Sequence, residues 1–138
     1  MSFGLDTSVV LRLLTGEPTA QARAAIRWLR ETQAAGTAVV ISDLVASEVY
    51  FALQHHYGVP KVEALRQLAL FFRSGDVVAC GEAAEVLETP RLASAKPGFV
   101  DRLIHQQYRR AKVAAMVTFE RAARGLPQVC LLEGDVEG

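Results

Sequence analysis

Four acidic residues stand at positions where an acid can take part in chemistry: Asp6, Glu48, Asp101 and Glu120. Asp6 and Glu120 each follow a short apolar run that is typical of a β-strand, and α/β sheets carry their ligands at the carboxyl ends of parallel strands. Carboxylates without a cluster of histidines or cysteines suit Mg²⁺ or Mn²⁺, which take oxygen ligands and bind phosphate groups. If these acids converge, the chemistry to which they are suited is metal-assisted chemistry on a phosphate group.

Asp6 also has a purely structural interpretation. It precedes Thr7 and Ser8 at a point where a helix begins, and aspartate is among the best helix N-caps. Thr7 or Ser8 is equally suited to cap that helix, so capping alone does not require an acid at position 6. Both interpretations of Asp6, helix cap and metal ligand, stay open from the residues themselves.

Glu48 lies in the segment Ser42–Tyr57, whose pattern predicts a helix. Leu44 and Val45 precede it by one turn and Phe51 follows it by one turn, which predicts that Glu48 lies in the middle of an apolar stripe. A buried carboxylate needs a cation, a metal or strong hydrogen-bond donors. A metal ligand and an ion pair with an arginine are the two alternatives for Glu48.

Asp101 is expected in the first turn of a helix over Phe99–Lys112, where an acid also interacts favourably with the helix dipole. Basic residues follow it on or beside the same face of that helix: Arg102, His105, Arg109 and Lys112. Such a strip is either an ordinary solvated face or a set of contacts for phosphate groups. Lys96, in the loop Arg91–Lys96 between two prolines, is a further candidate for a phosphate contact.

Short apolar runs alternate with helical patterns along the chain, which indicates an α/β fold around a mainly parallel sheet. The predicted strands are Ser2–Leu5, Thr37–Ile41, Asp76–Cys80, Val113–Thr118 and Val129–Leu132. Further helices are predicted over Ala20–Ala35, over Pro60–Arg73 and from about Glu82. Trp28 is predicted to be a packing residue rather than a platform for a nucleic-acid base, because no aromatic or basic pattern is interleaved around it.

The composition limits the possible classes of protein. With 138 residues, of which 51% are hydrophobic and 22% charged, the chain is expected to form one domain over residues 1–138. Fifteen basic residues balance fifteen acidic ones, so any contact with nucleic acid must come from a local patch. Cys80 and Cys130 are expected to be buried free thiols. The absence of a leader or a long apolar segment predicts a cytoplasmic protein.

The order and spacing of several short motifs resemble the PIN domains, and within them the VapC toxins of toxin–antitoxin pairs. The motifs are Leu5-Asp6-Thr7-Ser8-Val9-Val10-Leu11, Ser47-Glu48-Val49, Phe99-Val100-Asp101 and Thr118-Phe119-Glu120-Arg121. The resemblance covers essentially the whole chain. It implies a three-layer fold, in which a five-stranded, mainly parallel sheet has helices on both faces.

The resemblance also implies an activity and its partners. Asp6, Glu48, Asp101 and Glu120 would be the catalytic and metal-binding residues of a Mg²⁺- or Mn²⁺-dependent ribonuclease that leaves a 5′-phosphate and a 3′-hydroxyl. Asp6 and Asp101 are the first choices as direct ligands. Thr7, Ser8 and Thr118 match hydroxyl positions near the metal, whereas Glu120 stands where aspartate is more usual. The expected partners are RNA, a cognate antitoxin and a second copy of the chain.

Two other functions fit part of the pattern. A phosphatase of the haloacid dehalogenase type would use Asp6 as a nucleophile that forms an aspartyl phosphate. That family places a second acid two residues later, where this chain has Ser8. The other alternative is a PIN fold that binds RNA or protein with an idle catalytic site.

Overall fold

The computed structural model describes residues 1–134, in which strands alternate with helices as the sequence predicts. The strands are β1 (Ser2–Gly4), β2 (Ala38–Ile41), β3 (Val78–Ala79), β4 (Met116–Thr118) and β5 (Val129–Leu131). The helices are α1 (Thr7–Thr15), α2 (Thr19–Ala34), α3 (Asp43–His55), α4 (Lys61–Arg73), α5 (Ala83–Leu87) and α6 (Phe99–Arg110). Two 3-10 turns, Leu92–Ser94 and Arg121–Gly125, precede α6 and follow β4. The predicted domain also includes residues 135–138, which lie outside the described part.

The strands form two sheets rather than one. β1, β2 and β3 are parallel and adjacent in that order, with Phe3 opposite Val39 and Val40 opposite Val78. β4 and β5 form a separate parallel pair. The predicted α/β class and parallel strand direction are therefore confirmed, whereas the prediction of a single five-stranded sheet is wrong.

The strands are shorter than the predicted apolar runs because residues at the ends of the runs belong to the turns that connect strands and helices. The run Val113–Thr118 shows this. Lys112 adopts a positive φ of 59° where the chain leaves α6, and the amide of Val113 donates a hydrogen bond back to the carbonyl of Tyr108. Only three residues of that run remain in β4, and so short a strand has few backbone groups with which to hold a second neighbour.

The core lies between the three-stranded sheet and the long helices. α1 packs against α2 and α3, α4 packs against α3 and α5, and α5 packs against α6. The largest fully buried side chains are Phe99, Ile41, Leu53, Leu68, Val10, Val39 and Val49. Tyr50 of α3 meets Phe99 of α6 edge to face, with 5.1 Å between the ring centroids. This contact fixes α6, and with it the segment that carries Asp101, against α3.

β1 and β2 both lead directly into a capped helix. Asp6 caps α1, and Ser42 caps α3 by accepting a hydrogen bond from the amide of Val45 at 3.1 Å. A side-chain oxygen at the N-cap satisfies one of the free amides of the first helical turn. The caps fix where each helix leaves the carboxyl edge of the sheet.

The two cysteines are free, as expected, but both are exposed. Cys80 directly follows the edge strand β3, and Cys130 belongs to β5, in a two-stranded sheet whose strands are both edges. An apolar neighbourhood in sequence suggested burial, but side chains of an edge strand are covered only when another element packs over them. Within residues 1–134, no helix combines the length and the apolar character needed to cross a membrane.

Candidate functional site

Asp6 lies at the carboxyl end of β1 and is exposed. Its Oδ1 accepts hydrogen bonds from the hydroxyl of Ser8 at 2.7 Å and from the amide of Val9 at 3.1 Å. These two bonds, the hydroxyl first, hold the pKa of the Asp6 carboxyl below its usual value, and the charge of Arg12 acts in the same direction. Asp6 is therefore an ionised carboxylate of fixed orientation. Of its two interpretations, the helix cap is confirmed, and the role as a metal ligand stays a prediction.

A cleft of about 720 Å³ borders Asp6 between β1, α1 and α2. Its lining is mostly apolar and includes the aromatic rings of Phe3 and Trp28. Arg12 and Gln21 contribute polar groups to the same lining. We call this space the β1 cleft.

Asp101 and Glu120 lie together in a second and smaller cleft of about 220 Å³. Both side chains are exposed, Asp101 in the first turn of α6 and Glu120 just after β4. The amide of Glu120 donates a hydrogen bond to the hydroxyl of Thr118 at 2.9 Å, and Thr118 lines the same space. We call this space the β4 cleft; its lining also includes Pro97, Ile104, Tyr108, Met116, Val117 and Ala123.

Glu48 is exposed, so the prediction that it lies in a buried apolar stripe is wrong. The buried face of α3 consists of Asp43, Ala46, Val49, Tyr50 and Leu53. Glu48 follows Ala46 by two residues and is therefore rotated by about 200° away from that face. Leu44 and Phe51, which suggested burial, are themselves 71% and 46% exposed.

The buried acid of α3 is Asp43, which sequence reasoning missed. Its carboxylate accepts hydrogen bonds from the backbone amides of Glu82 and Ala83 at 2.8 and 2.9 Å. It also accepts one from the side-chain amide of Gln107 at 2.8 Å. Asp43 thus links α3, the start of α5 and α6 through satisfied hydrogen bonds. Its position directly after the cap residue Ser42 was the available signal, but an acid there is also common in a first helical turn.

Gly81 makes room for that carboxylate. A Cβ atom at position 81 would lie 2.5 Å from Oδ2 of Asp43, which is closer than any normal contact. The close approach lets the chain present the amides of Glu82 and Ala83 to Asp43.

The basic strip predicted on α6 is divided by the structure. His105 is buried, and its Nε2 lies 2.7 Å from the carbonyl of Pro127, so it is not part of a charged face. Arg102 donates a hydrogen bond to the carbonyl of Pro97. Arg102 and Arg109 line a different depression, which they share with acidic residues. The helical repeat placed these residues on one helix correctly, but it did not show which side of α6 is covered.

Comparison with known protein families gives a match to the PIN domain over residues 4–127. The chain belongs to the PIN domain family. All four predicted acids lie within the matched residues. PIN domains are generally nucleases, and PIN nucleases generally use divalent metals and bind RNA. Neither the curated proteins nor the solved structures include a match to this chain.

A metal site in this PIN domain has the right donor chemistry but not the right placement. Carboxylates are the ligands that Mg²⁺ prefers in proteins. Within residues 1–134, however, no three histidine, cysteine, aspartate or glutamate side chains come close enough together to hold one ion. Asp101 and Glu120 share the β4 cleft, Asp6 lines the β1 cleft, and Glu48 lines neither. As arranged here, the four acids do not share one ion, whereas the pair Asp101 and Glu120 fits an ion such as Mg²⁺, which proteins often hold with one or two carboxylates.

Proposed function

We propose that this PIN domain is a divalent-metal-dependent endoribonuclease whose catalytic residues are Asp6, Glu48, Asp101 and Glu120. The observation that carries the proposal is the family match over residues 4–127, which contains all four acids. Two of these acids stand two residues after parallel strands of the fold, Asp6 after β1 and Glu120 after β4. Acids at such strand ends are suited to bind a cation that in turn binds the RNA backbone.

The described contacts suggest different roles for these residues. Asp6 is held ionised by Ser8 and Val9, and only one of its two oxygens receives these bonds, so the other can face a ligand. Asp101 and Glu120 bring two carboxylates into one cleft. Mg²⁺ or Mn²⁺ would supply positive charge for the phosphodiester there. Binding of one ion by three of the acids requires the β1 and β4 clefts to approach each other.

We further propose that the protein is the toxin of a toxin–antitoxin pair, as its resemblance to VapC toxins implies. Its cognate antitoxin would present a basic residue to the acids. Exposed apolar side chains on α3 and α4, among them Leu44, Val62 and Leu70, support a homodimer. Light scattering at micromolar concentration measures the dimer, and growth arrest on expression that is relieved by the antitoxin measures the toxin role.

The enzymatic proposal is tested by incubating purified protein with total RNA and Mn²⁺ and analysing the new ends. We expect fragments with 5′-phosphate and 3′-hydroxyl ends, and no fragments with EDTA. Asp6→Asn should reduce cutting to background while the helix stays capped, because asparagine caps about as well as aspartate. Glu31→Gln, which removes an exposed acid of α2 outside both clefts, should cut like the wild type.

Cutting that survives both EDTA and Asp6→Asn would contradict the proposal.

The separation of the acids favours one alternative, a PIN fold with an idle site that only binds RNA or protein. RNA that is bound but never cut with any divalent metal would support it. The phosphatase alternative is disfavoured because the carboxylate of Asp6 accepts a hydrogen bond from Ser8, the residue at the position of the second acid. A hydroxylamine-sensitive phosphoenzyme would revive it.

A further inference from the structure

The β1 cleft has the size and lining of a ligand pocket. Its volume of about 720 Å³ lies within the range of roughly 300–1,000 Å³ that is usual for small-molecule sites. The lining is mainly apolar, with a small number of polar groups, and Asp6 stands at its border. A group bound in this cleft would therefore lie beside Asp6, one of the proposed catalytic acids.

Two aromatic rings form one corner of the cleft. Phe3 and Trp28 meet edge to face, with 5.5 Å between their centroids and 74° between their planes. Phe3 is 43% exposed. Trp28 packs against the core, as the sequence predicts, yet it also lines the cleft. A flat ring that stacks on one of these side chains would present its edge to the other.

Two polar side chains of the cleft, Arg12 and Gln21, present donors, whereas the carboxylate of Asp6 at its border is an acceptor. The Nε of Arg12 donates a hydrogen bond to Oε1 of Gln21 at 2.6 Å. This bond engages the carbonyl oxygen of Gln21, and it leaves the amide nitrogen of Gln21 and the terminal nitrogens of Arg12 as donors for a ligand. The preferred ligand is therefore a flat ring that carries hydrogen-bond acceptors on its edge.

We propose that the β1 cleft binds one base of the RNA substrate, with guanine preferred. Guanine presents two acceptors, N7 and O6, to a pair of donors, and it matches arginine bidentately. The amino groups of adenine and cytosine are donors, and they cannot pair with the donors of Arg12 and Gln21. Stacking on Phe3 and Trp28 supplies binding that is independent of the base. The identity of the polymer as RNA rests on the proposed function, whereas the choice of base rests on the cleft itself.

Trp28 provides the measurement, because it is the only tryptophan of the chain. The full-length protein is titrated in EDTA, without cleavage, with the short RNAs UUGU, UUAU, UUCU and UUUU. We expect each RNA to quench the fluorescence of Trp28, and UUGU to do so at the lowest concentration. Absence of quenching by all four RNAs would overturn the proposal, and equal affinities would overturn the preference for guanine.

Three variants assign the binding to its residues. Phe3→Leu should weaken binding of all four RNAs about fivefold or more, because a stacking ring contributes roughly 1–3 kcal/mol. Arg12→Lys keeps the charge but removes the planar fork, and it should abolish the preference for UUGU. Gln21→Ala, at an exposed position, should reduce the same preference.

Phe51→Leu is the matched control, since Phe51 is similarly exposed at 46% but lies on α3. Wild-type affinities in both Phe3→Leu and Arg12→Lys, with unchanged circular dichroism, would contradict the assignment.

The outcomes separate this inference from the proposed function. Quenching that depends on Phe3, in a protein that never cuts RNA, would support the base site and contradict the nuclease. Metal-dependent cutting without any effect of Phe3→Leu on Trp28 quenching would support the nuclease and contradict the base site. A change in Trp28 fluorescence with protein concentration, and none with RNA, would mean that a second copy covers the cleft and would overturn the inference.

Discussion

The β1 cleft and the β4 cleft differ in what surrounds their acids. The β1 cleft places one carboxylate, Asp6, beside Arg12, Gln21 and two aromatic rings. The β4 cleft places two carboxylates, Asp101 and Glu120, in less than half the volume, and of the described residues no arginine or lysine lines it. Concentrated negative charge attracts cations, whereas an aromatic wall with donors suits a base. On the proposed function, the base is bound in the β1 cleft, and the metal is held by the two acids of the β4 cleft together with Asp6.

The largest expected effects test the acids of the two clefts. Asp6→Asn and Asp101→Asn should each reduce RNA cleavage by about 100-fold or more, which is typical for loss of one preorganised electrostatic group. Glu48→Gln and Glu120→Gln should lose about 10- to 100-fold, the range for residues that act through another ligand. Initial rates of cleavage with saturating Mn²⁺, with Glu31→Gln as control, give the comparison. Wild-type activity in Glu48→Gln would remove that residue from the proposed site.

The next effect concerns Asp43, which supports the β4 cleft by tying α6 to α3. Asp43→Ala leaves several buried donors unsatisfied, and each costs about 1–3 kcal/mol, so we expect the free energy of unfolding to fall by about 3 kcal/mol. Asp43→Asn should lose less, because its remaining oxygen can still accept from the amides of Glu82 and Ala83. Urea denaturation measures both changes.

Glu48→Ala serves as the matched control on the same helix, and a change within about 0.5 kcal/mol is expected for such an exposed position. The comparison of the clefts adds a second measurement. Asp43→Asn should lower the rate of cleavage, whereas UUGU should quench Trp28 at the same RNA concentration as in the wild type. Equal losses in both measurements would mean that the two clefts depend on one another.

The smallest expected effect is the pH dependence of the cap at Asp6. Because the folded state lowers the pKa of this carboxyl, its stabilising contribution is complete above the unfolded pKa of about 3.9 and is lost as the pH falls through the lower, folded value. Asp6→Asn does not titrate. As the pH falls, the unfolding free energy of the wild type should therefore decrease relative to that of Asp6→Asn. Urea titrations at neutral pH and at about pH 3 test this, and an unchanged difference would show that the cap does not depend on charge.

The sequence predicted the features that depend on local pattern. The helical repeats predicted both ends of α2, α3, α4 and α6 to within two residues. They could do so because apolar spacing reflects the helical period directly. Asp6 was recognised at the end of β1 because a short apolar run precedes it. Sheet pairing between distant strands has no such local signal, and therefore the separation of β4 and β5 from the other strands was not predicted.

The candidate site shows the same limit on α3. Leu44 and Phe51 suggested a buried stripe around Glu48, yet the core covers the opposite side of the helix and buries Asp43. Both sides of α3 carry apolar residues, so periodicity alone could not select the covered one. The partners of Asp43 come from Glu82, Ala83 and Gln107, at least 39 positions later in the chain. Contacts at that separation become visible only in three dimensions.

The narrow space at Gly81 has a consequence for how this chain can evolve. Every other amino acid carries a Cβ, which would collide with the carboxylate of Asp43, so position 81 tolerates substitution only if position 43 changes first or at the same time. In a saturation library, single variants at position 81 should be depleted as a class. Variants that combine Gly81→Ala with a smaller residue at position 43 should be the ones recovered. We therefore expect the two positions to change together in evolution, although 37 residues separate them along the chain.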